Sequence, residues 1–346
     1  MSFDDGKKNR VTLLDVAREA NVSRATASLV IRKSPLVGSQ TRKRVEDAIQ
    51  RLGYVYNMGA ARMRAQRSHT IGVVVPNLTN PFFAELLSGI ESTLELANMV
   101  VLLANSHEML DRQDMIIRRM REHGVDGLIV CPAAGSDVTI LERAADWALP
   151  LVQALRYVSP DEGDYAGADY SGGMRHAVDY LASLGHERIV FVAGGAYHSA
   201  YQERVEGFQL AMRAHGFNDE NILELPSRLS RAAEAVHLLF ERMEPPTAAI
   251  CFNDVVAIGL AGGLYDLGMN VGPDFSIIGF DNVAEADMIR PKLTSIATGP
   301  VGIGENAARL LLDRLADPQR AYERVVRKTG LVVRQSCGPV KSPARL

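Results

Sequence analysis

The chain has 346 residues, of which 47% are hydrophobic and 23% charged, so it is long enough to bury more than one hydrophobic core. Its apolar runs all fall short of the about 20 residues that cross a membrane, and the start MSFDDGKKNR lacks the apolar core of a signal peptide. We therefore expect a cytoplasmic protein with no membrane partner. The three cysteines, Cys131, Cys251 and Cys337, are scattered without metal-ligand spacing, and neither a disulfide framework nor a metal site is expected.

The net charge of −3 hides an asymmetry between the N-terminal part of the chain and the remainder. Residues 1–68 contain 14 Lys and Arg against 6 Asp and Glu, a net of +8, which leaves −11 for the remainder. A basic segment joined to an acidic body indicates a polyanionic partner for that segment alone. A solvated basic tail is the alternative, and the helix signals within the segment argue against it.

Helix start and stop signals divide the basic segment into three short helices. Thr12 followed by Asp15 is the start signal of a first helix, because each side chain can cap a backbone N–H near the other. Asn21 tolerates the left-handed backbone of a tight turn, and Ser23 is a favourable N-cap for a second helix. The stretch TRKRVEDAIQRL places its apolar residues on one stripe and predicts a third helix.

The second helix has an outward face that is suited to DNA. Its residues divide into an inward set, Ala27, Val30 and Ile31, and an outward set, Arg24, Ala25, Ser28 and Leu29. Three helices around one small core, with a tight turn before the second, predict a helix-turn-helix, whose second helix enters the major groove. Ser23, Thr26 and Thr41 lie at helix starts, where hydroxyls and free backbone N–H groups commonly contact phosphates.

After residue 68, short β-branched runs alternate with helical stretches. The runs TIGVVVP, MVVLLAN, GLIVCP, LVQAL, IVFVAGG, AAICFN and FSIIGFD are typical of buried parallel strands. This alternation predicts doubly wound sheets, and the remaining residues exceed one such layer set, so two lobes with a cleft between them are expected. The predicted fold is an N-terminal all-α helix-turn-helix domain followed by an α/β body of two doubly wound lobes.

Long stretches of the chain resemble one known family. The stretches VTLLDVAREANVS, PLVGSQTRKRVEDAIQRLGYVYN, RSHTIGVVVPNLTNPFFAELLSGIE, RVEGF, FNDVVAIG, FSIIGFDNV and PKLTSIATG are similar to the lactose-repressor/galactose-repressor (LacI/GalR) family of bacterial transcription regulators. The resemblance covers nearly the whole chain. It implies a DNA-binding repressor with a periplasmic-binding-protein-like body, in which the second and third chain crossovers lie near residues 297 and 325.

The resemblance also implies domain boundaries and an assembly. The boundaries are 1–56 for the helix-turn-helix domain, 57–68 for a hinge and 69–346 for an effector-binding and dimerisation domain. Within that domain, lobe one is expected at about 69–168 and 298–325, and lobe two at about 169–297 and 326–346. The end VVRQSCGPVKSPARL has no leucine heptad tail, so a homodimer is expected rather than a tetramer, and its symmetry implies a pseudopalindromic operator DNA.

In the family, the exposed first turn of the second helix reads base edges, and this role falls here on Arg24, Ala25 and Leu29. Family members commonly have Arg at the last of these positions, whereas Leu29 cannot donate to guanine and favours an apolar contact such as a thymine methyl. For Arg24 two contacts remain open, one to a guanine and one to a phosphate. The residues assigned to DNA are Ser23, Arg24, Ala25, Thr26, Leu29, Thr41, Tyr54, Asn57, Ala60 and Met63, and Met63 takes the place of a Leu that wedges into the minor groove.

Ligands of doubly wound sheets bind beyond the carboxyl ends of the strands. The candidate effector residues at those positions are Asn80, Phe82, Phe83, Arg156, Asp169, Arg204, Asn253 and Asp281. This mixture of aromatic and polar groups suits a sugar, polyol or sugar acid, and for each residue a structural role, such as capping a helix, is the alternative. His198 and Arg228 fall in neighbouring loops, and an Arg-rich pocket would suit an acidic or phosphorylated sugar.

Two other functions, an enzyme and a sugar-binding protein, fit the sequence less well than a DNA-binding regulator. GIGENA at 302–307 fits the G-x-G-x-x-A of an NAD(P)-dependent enzyme, but no acidic residue follows in a βαβ unit, so we interpret it as a helix start. No nucleophile elbow or H-E-x-x-H motif occurs, and neither enzymatic activity nor a cofactor is expected. The second rival is a sugar-binding protein without a DNA role, and the basic N-terminal segment argues against it.

Overall fold

A computed structural model describes residues 11–31, 33–55, 68–195, 197–225, 233 and 236–340. The chain divides into two compact units, residues 1–68 and 69–346, which we call the head and the body. Positions 57–67 of the expected hinge lie outside the described residues.

Three helices form the described part of the head, namely α1 (Leu13–Glu19), α2 (Arg24–Ile31) and α3 (Ser39–Leu52). The predicted start and turn signals are confirmed. Asp15 accepts the Thr12 N–H at 2.9 Å in a capping box, Asn21 has a φ of 52°, and Ser23 Oγ accepts the N–H of Thr26 at 3.0 Å. The helices enclose a core of small side chains, chiefly Val16, Ala17, Ala20, Ala27, Val30, Val45 and Ala48.

The described residues of the body form twelve strands and nine helices. The strands are β1 (Thr70–Val75), β2 (Val100–Asn105), β3 (Gly127–Val130), β4 (Leu151–Ala154), β5 (Asp164–Ala168), β6 (Ile189–Gly194), β7 (Ile222–Leu225), β8 (Ala248–Cys251), β9 (Ser276–Asp281), β10 (Thr294–Ala297), β11 (Arg324–Arg327) and β12 (Gly330–Val332). The helices are α4 (Pro81–Leu96), α5 (Leu110–Glu122), α6 (Thr139–Asp146), α7 (Tyr170–Ser183), α8 (Ser199–Ala214), α9 (Val236–Phe240), α10 (Asp254–Asp266), α11 (Glu285–Met288) and α12 (Pro300–Ala316). No helix in the described ranges combines the length and the hydropathy that crossing a bilayer requires.

The strands form two six-stranded sheets, which confirms the predicted α/β body. The sheet of the first lobe has the order β11-β5-β4-β3-β1-β2 and is parallel throughout. The sheet of the second lobe has the order β12-β10-β9-β8-β6-β7, and β12 alone is antiparallel to its neighbour. Most strands are continuous buried runs because helices cover them, as is usual for parallel sheets.

The chain passes from one lobe to the other three times. After β5 it enters α7, which packs against α8 and β12, and after β10 it returns in α12, which packs along α4. The third passage lies between β11 and β12, after Arg327, compared with the expected position near residue 325. Each sheet therefore contains strands from separate parts of the sequence.

The GIGENA stretch lies in the first two turns of α12, where its glycines serve packing. A Cβ on Gly304 would lie 2.1 Å from the carbonyl oxygen of Leu86 in α4. A Cβ on Gly89 of α4 would lie 1.9 Å from the carbonyl oxygen of Val301 in α12. The two helices therefore cross in backbone contact, which glycine alone permits. This contact explains the second glycine of the stretch that resembles a dinucleotide-binding motif.

Candidate functional site

The outward face of α2 presents the residues that were expected to read bases. Arg24 and Ala25 are exposed and Leu29 is half-buried. At the start of the helix, the hydroxyls of Ser23 and Thr26 lie 2.9 Å apart and share a hydrogen bond. The face is therefore open to a groove at its N-terminal end, where a helix offers free N–H groups.

The other residues assigned to DNA differ in where they lie and in what they contact. Thr41 lies in the first turn of α3, and its Oγ1 accepts a hydrogen bond from Arg44 at 3.4 Å. Tyr54 packs against the head core. The hinge residues assigned to DNA, Asn57, Ala60 and Met63, lie outside the described residues.

A cavity of about 520 Å³ lies between the two lobes of the body, within the range of about 300–1,000 Å³ that is usual for ligand sites. It opens at the carboxyl ends of the parallel strands, because the loops after β1, β2 and β4 face those after β6, β8 and β9. The structure brings together seven of the eight predicted effector residues around it, namely Asn80, Phe82, Phe83, Arg156, Arg204, Asn253 and Asp281.

Arg204 lies on α8 and lines the cavity with its guanidinium removed from water. The ring centroids of Tyr170, Phe252 and Phe280 lie 4.1, 4.6 and 4.3 Å from its Cζ. Its Nη1 donates to the carbonyl oxygen of Ala200 at 2.9 Å, whereas its Nε is buried and has no hydrogen-bond partner among the described residues. Burial lowers the pKa of Arg204. Because an unpaired buried donor is costly, this N–H is suited to bind a ligand oxygen.

Asp281 ends β9 and forms a loose ion pair with Arg204, in which Oδ1 lies 3.8 Å from Nη2. Its φ of 107° is a left-handed value that residues with a side chain rarely adopt. Burial raises the pKa of Asp281, and the charge of Arg204 opposes that rise. The separation exceeds a hydrogen bond, so a ligand hydroxyl can accept from Arg204 and donate to Asp281.

Asp254, the first residue of α10, holds the loop that carries Asp281. Its carboxylate accepts the N–H of Val283 at 2.8 Å and the hydroxyl of Ser295 at 2.5 Å. The Ser295 Oγ in turn accepts the N–H of Asn282 at 3.0 Å. Burial raises the pKa of Asp254 to about 7, although these hydrogen bonds favour the charged form.

Arg156 and Glu108 form a second charged pair in the cleft. Arg156 Nη2 lies 2.7 Å from Oε1 of Glu108, and Nη1 donates to Oε2 at 3.0 Å. Nη1 also donates to the carbonyl oxygen of Pro132 at 3.1 Å, and Oε2 accepts the N–H of Ala134 at 3.0 Å. Glu108 was not among the predicted residues. Its position after β2 is the one sequence signal that could have identified it, because a Glu in a polar loop follows no other pattern.

His198 is the N-cap of α8 and also lines the cavity. Burial, together with the charges of Arg156 and Arg204, lowers the pKa of His198 to about 2, so the ring is neutral at physiological pH. Its Nδ1 accepts the N–H of Tyr201 at 3.1 Å, which places the proton of the neutral ring on Nε2. That Nε2 is buried and has no partner in the described part of the chain, so the cleft presents a second free N–H donor.

Asparagine and aromatic side chains complete the walls. Asn80 and Asn253 cap α4 and α10 through their side-chain oxygens, which accept N–H groups at 3.1 and 2.9 Å. Capping does not use their NH₂ groups, and both side chains also line the cavity. Phe82 and Phe83 pack edge to face with ring centroids 5.5 Å apart and form an apolar wall, and Phe252, which was not predicted, lines the cavity as well.

Asp169 is the one predicted effector residue that is not among those lining the cavity. It is exposed, and its Oδ1 accepts the N–H of Gly172 at 2.8 Å as the N-cap of α7. Its backbone N–H donates to the carbonyl oxygen of Arg327 at 2.8 Å, which continues the pairing of β5 with β11. The next residue, Tyr170, lines the cavity instead, and its hydroxyl donates to the carbonyl oxygen of Leu155 at 3.2 Å.

These features define a class of protein. The body is a two-lobed α/β domain with a cleft of charged, asparagine and aromatic side chains at the strand ends, and the described part of the head is a three-helix unit whose second helix presents an open N-terminal face. The two parts together are those of a ligand-responsive DNA-binding regulator.

Comparisons with known proteins identify the family. The profile "Bacterial regulatory proteins, lacI family" matches residues 12–57, and "Periplasmic binding protein-like domain" matches residues 178–337. "Catabolite control protein A" of Priestia megaterium is 35% identical over 304 residues, which cover 87% of this chain and 91% of that protein. The "HTH-type transcriptional repressor PurR" of Vibrio vulnificus (strain CMCP6) is 33% identical over 340 residues, with coverage of 94% and 98%.

A solved structure agrees with these relatives. A LacI family transcriptional regulator from Enterococcus faecium with bound ribose is 32% identical and has a TM-score of 0.71, with coverage of 79% of this chain and 100% of that one. The chain therefore belongs to the lacI family of bacterial regulatory proteins.

The raised pKa of Asp254 predicts a pH dependence of stability. Between its ordinary value of 3.8 and about 7, the native carboxyl holds a proton that the unfolded chain has released, so its contribution to the free energy of unfolding declines as the pH rises. Asn cannot titrate, so the difference in this free energy between wild type and Asp254→Asn should decline across the same window and then level off. Urea unfolding at a series of pH values measures it.

The matched control is Asp287→Asn, which removes an exposed carboxyl whose pKa is lowered by its hydrogen bond with Lys292. Because a lowered pKa titrates only in more acidic solution, this variant should leave the profile unchanged across the Asp254 window. Parallel profiles for wild type and Asp254→Asn would contradict the assignment.

Proposed function

We propose that this protein is a homodimeric transcription repressor whose hold on operator DNA is set by a small hydroxylated effector bound in the cleft between its lobes. The observation that carries the proposal is a pair of buried N–H donors, Arg204 Nε and His198 Nε2, which have no partner in the described ranges and lie in the same cleft as the carboxylate of Asp281. A hydroxyl is the group that can accept from such donors and donate to such a carboxylate at the same site.

The cleft is suited to couple ligand binding to the arrangement of the lobes. Arg156 and Phe82 belong to the first lobe, whereas Arg204 and Asp281 belong to the second. A ligand that contacts both lobes favours one angle between them, and it shifts the protein toward that angle by its difference in affinity for the two arrangements. Operator affinity changes with that shift in the proposed mechanism.

The relatives support the repressor role and the ligand class. The V. vulnificus relative is named a transcriptional repressor, the P. megaterium relative is named a catabolite control protein, and the E. faecium regulator holds ribose. A sugar or polyol of comparable chemistry fits the aromatic and hydroxyl-binding walls of this cleft.

The homodimer is supported by an exposed apolar edge in the first lobe. Strand β2 lies at the end of its sheet, and the side chains of Val100 and Leu102 on it are 66% and 39% exposed. A strand edge with exposed apolar residues tends to associate with another chain, and a second copy of this chain would cover it. Two heads would then contact the two half-sites of an operator.

The α2 face is proposed to read the operator. Arg24 and Ala25 are exposed on its first turn, and Leu29, half-buried one turn further on, offers an apolar contact. Ser23, Thr26 and Thr41 are proposed to bind phosphates, and Tyr54, Asn57, Ala60 and Met63 to extend the contact toward the minor groove.

Arg204→Met tests the effector site. Met fills much of the same space but has no N–H donors, so we expect at least about a 30-fold loss of effector affinity, with operator binding retained. The effector is first found by screening sugars and polyols for a rise in Tm, and operator binding is then followed by fluorescence anisotropy with and without it. The matched control is Arg213→Met on the same helix, because Arg213 is exposed and pairs with Asp219 outside the cavity. A normal response from Arg204→Met would place the effector elsewhere.

Leu29→Arg tests the reading of bases. An Arg at this position can donate two hydrogen bonds to a guanine, so the preferred half-site should gain a G·C pair, with a discrimination of about 1–3 kcal/mol. Selection from a random DNA pool measures the change. Leu14→Arg is the control, because it adds the same charge at an exposed position on α1. Identical selected sequences for wild type and Leu29→Arg would remove the assignment.

A further inference from the structure

Two arginines among the described residues that line the cleft each face a carboxylate, and only one of these two pairs is closed by hydrogen bonds. Arg204 Nη2 and Asp281 Oδ1 lie 3.8 Å apart, too far for a direct hydrogen bond, so both groups can still bind a ligand hydroxyl. Arg156 and Glu108 form a closed fork, with contacts of 2.7 and 3.0 Å that use both carboxylate oxygens. The Arg156 Nη1 is further occupied by the carbonyl oxygen of Pro132. The charge of Arg156 is therefore already matched before a ligand arrives.

The backbone holds Glu108 in this position. His107 and Glu108 have φ values of 54° and 59°, in a left-handed region that side-chain-bearing residues rarely occupy. The N–H of His107 donates to Asn105 Oδ1 at 2.9 Å, and Arg112 Nε donates to the Asn105 carbonyl oxygen at 2.9 Å. Strained backbone that is fixed by its neighbours keeps the carboxylate aimed at Arg156.

The opposite side of the pair is also fixed. Gln113 of α5 accepts the N–H of Ala133 at 2.7 Å and donates to Ser136 Oγ at 2.9 Å, which holds the loop that follows β3. The N–H of Ala134 in that loop donates to Glu108 at 3.0 Å. A ligand anion would have to displace Glu108 from three donors to reach Arg156.

We propose that Glu108 sets the charge selectivity of the cleft, so that the effector is an uncharged polyhydroxy compound, a neutral sugar or polyol, and sugar acids and sugar phosphates are discriminated against. The proposal rests on the proposed function of the cleft as the effector site. An anionic group beside the Arg156 fork would meet the carboxylate of Glu108, and one beside Arg204 would meet Asp281, so each guanidinium is screened from a second anion. Arginines in the cleft loops favoured an acidic or phosphorylated sugar. Arg228, one of them, lies outside the described residues, and the pairing of Arg156 with Glu108 argues against that expectation.

The experiment compares neutral and anionic partners of the same carbon skeleton on the full chain. The probes are D-ribose with D-ribose 5-phosphate, D-glucose with D-glucuronate, and D-galactose with D-galacturonate, and binding is measured by thermal shift and calorimetry at fixed ionic strength. We expect at least one neutral probe to bind, and its anionic partner to bind at least about tenfold more weakly.

Glu108→Gln tests the residue itself. Gln keeps the shape of the side chain and frees the charge of Arg156, so the preference for the neutral partner should shrink at least about tenfold or reverse. The matched control is Asp114→Asn, which removes one carboxylate from the same lobe at an ion pair with Arg143, outside the residues that line the cavity. Its preference should equal that of wild type. Glu108→Asp keeps the charge and should keep the preference even where overall affinity falls, and it serves as the second variant where Glu108→Gln folds poorly.

The outcomes separate this proposal from the proposed function. Tighter binding of an anionic probe than of its neutral partner to wild type would overturn the role of Glu108 and leave the effector cleft in place, and so would a Glu108→Gln variant with unchanged preference. Absence of binding by every probe would overturn the uncharged-sugar assignment. Binding that survives Arg204→Met would instead show that the cleft is not the effector site and would remove both proposals.

Discussion

The structure of the cleft depends on the burial of two guanidinium groups, those of Arg156 and Arg204. A buried charge must be paired and hydrogen-bonded, or it destabilises the fold by far more than an exposed one. Arg156 satisfies this requirement within the protein through its fork with Glu108. Arg204 satisfies it only in part, since three aromatic rings surround its guanidinium while one N–H has no partner among the described residues. The Arg156–Glu108 pair therefore has a structural role in the cleft wall, and the Arg204–Asp281 pair is available to bind a ligand.

Topology brings these groups together. Both sheets are doubly wound, and their parallel strands end at the same cleft, so side chains far apart in sequence, such as Glu108 and Arg156 or Arg204 and Asp281, come within ion-pair distance. The three passages between lobes mean that neither lobe is a continuous piece of chain. A ligand in the cleft therefore contacts both lobes at once, and in the proposed mechanism it controls the repressor by favouring one angle between them.

The sequence predicts the fold class and most of the cleft, but not the electrostatics. Seven strands are visible because they are continuous runs of apolar, largely β-branched residues. By contrast, β5, β10 and the edge strands β7, β11 and β12 are short or polar and were missed. The strand-end rule locates residues to within about one position, and helix capping decides the rest, so Asp169 caps α7 and Tyr170 lines the cavity. The pairing of Glu108, and the His198 Nε2 donor that has no partner in the described part of the chain, could not be predicted from the sequence, because pairing and burial depend on residues in distant loops.

Linkage between the two binding sites tests the central claim most directly. Binding free energies are reciprocal, so a ligand that changes operator affinity by a given factor must have its own affinity changed by the same factor when the operator is bound. The measurement is the Kd of a neutral sugar identified by thermal shift, determined for the full chain free and saturated with its selected operator in one buffer. We predict that the two Kd values differ by about 5-fold to 150-fold, as is typical of allosteric coupling. Equal values would show that the cleft does not control DNA binding.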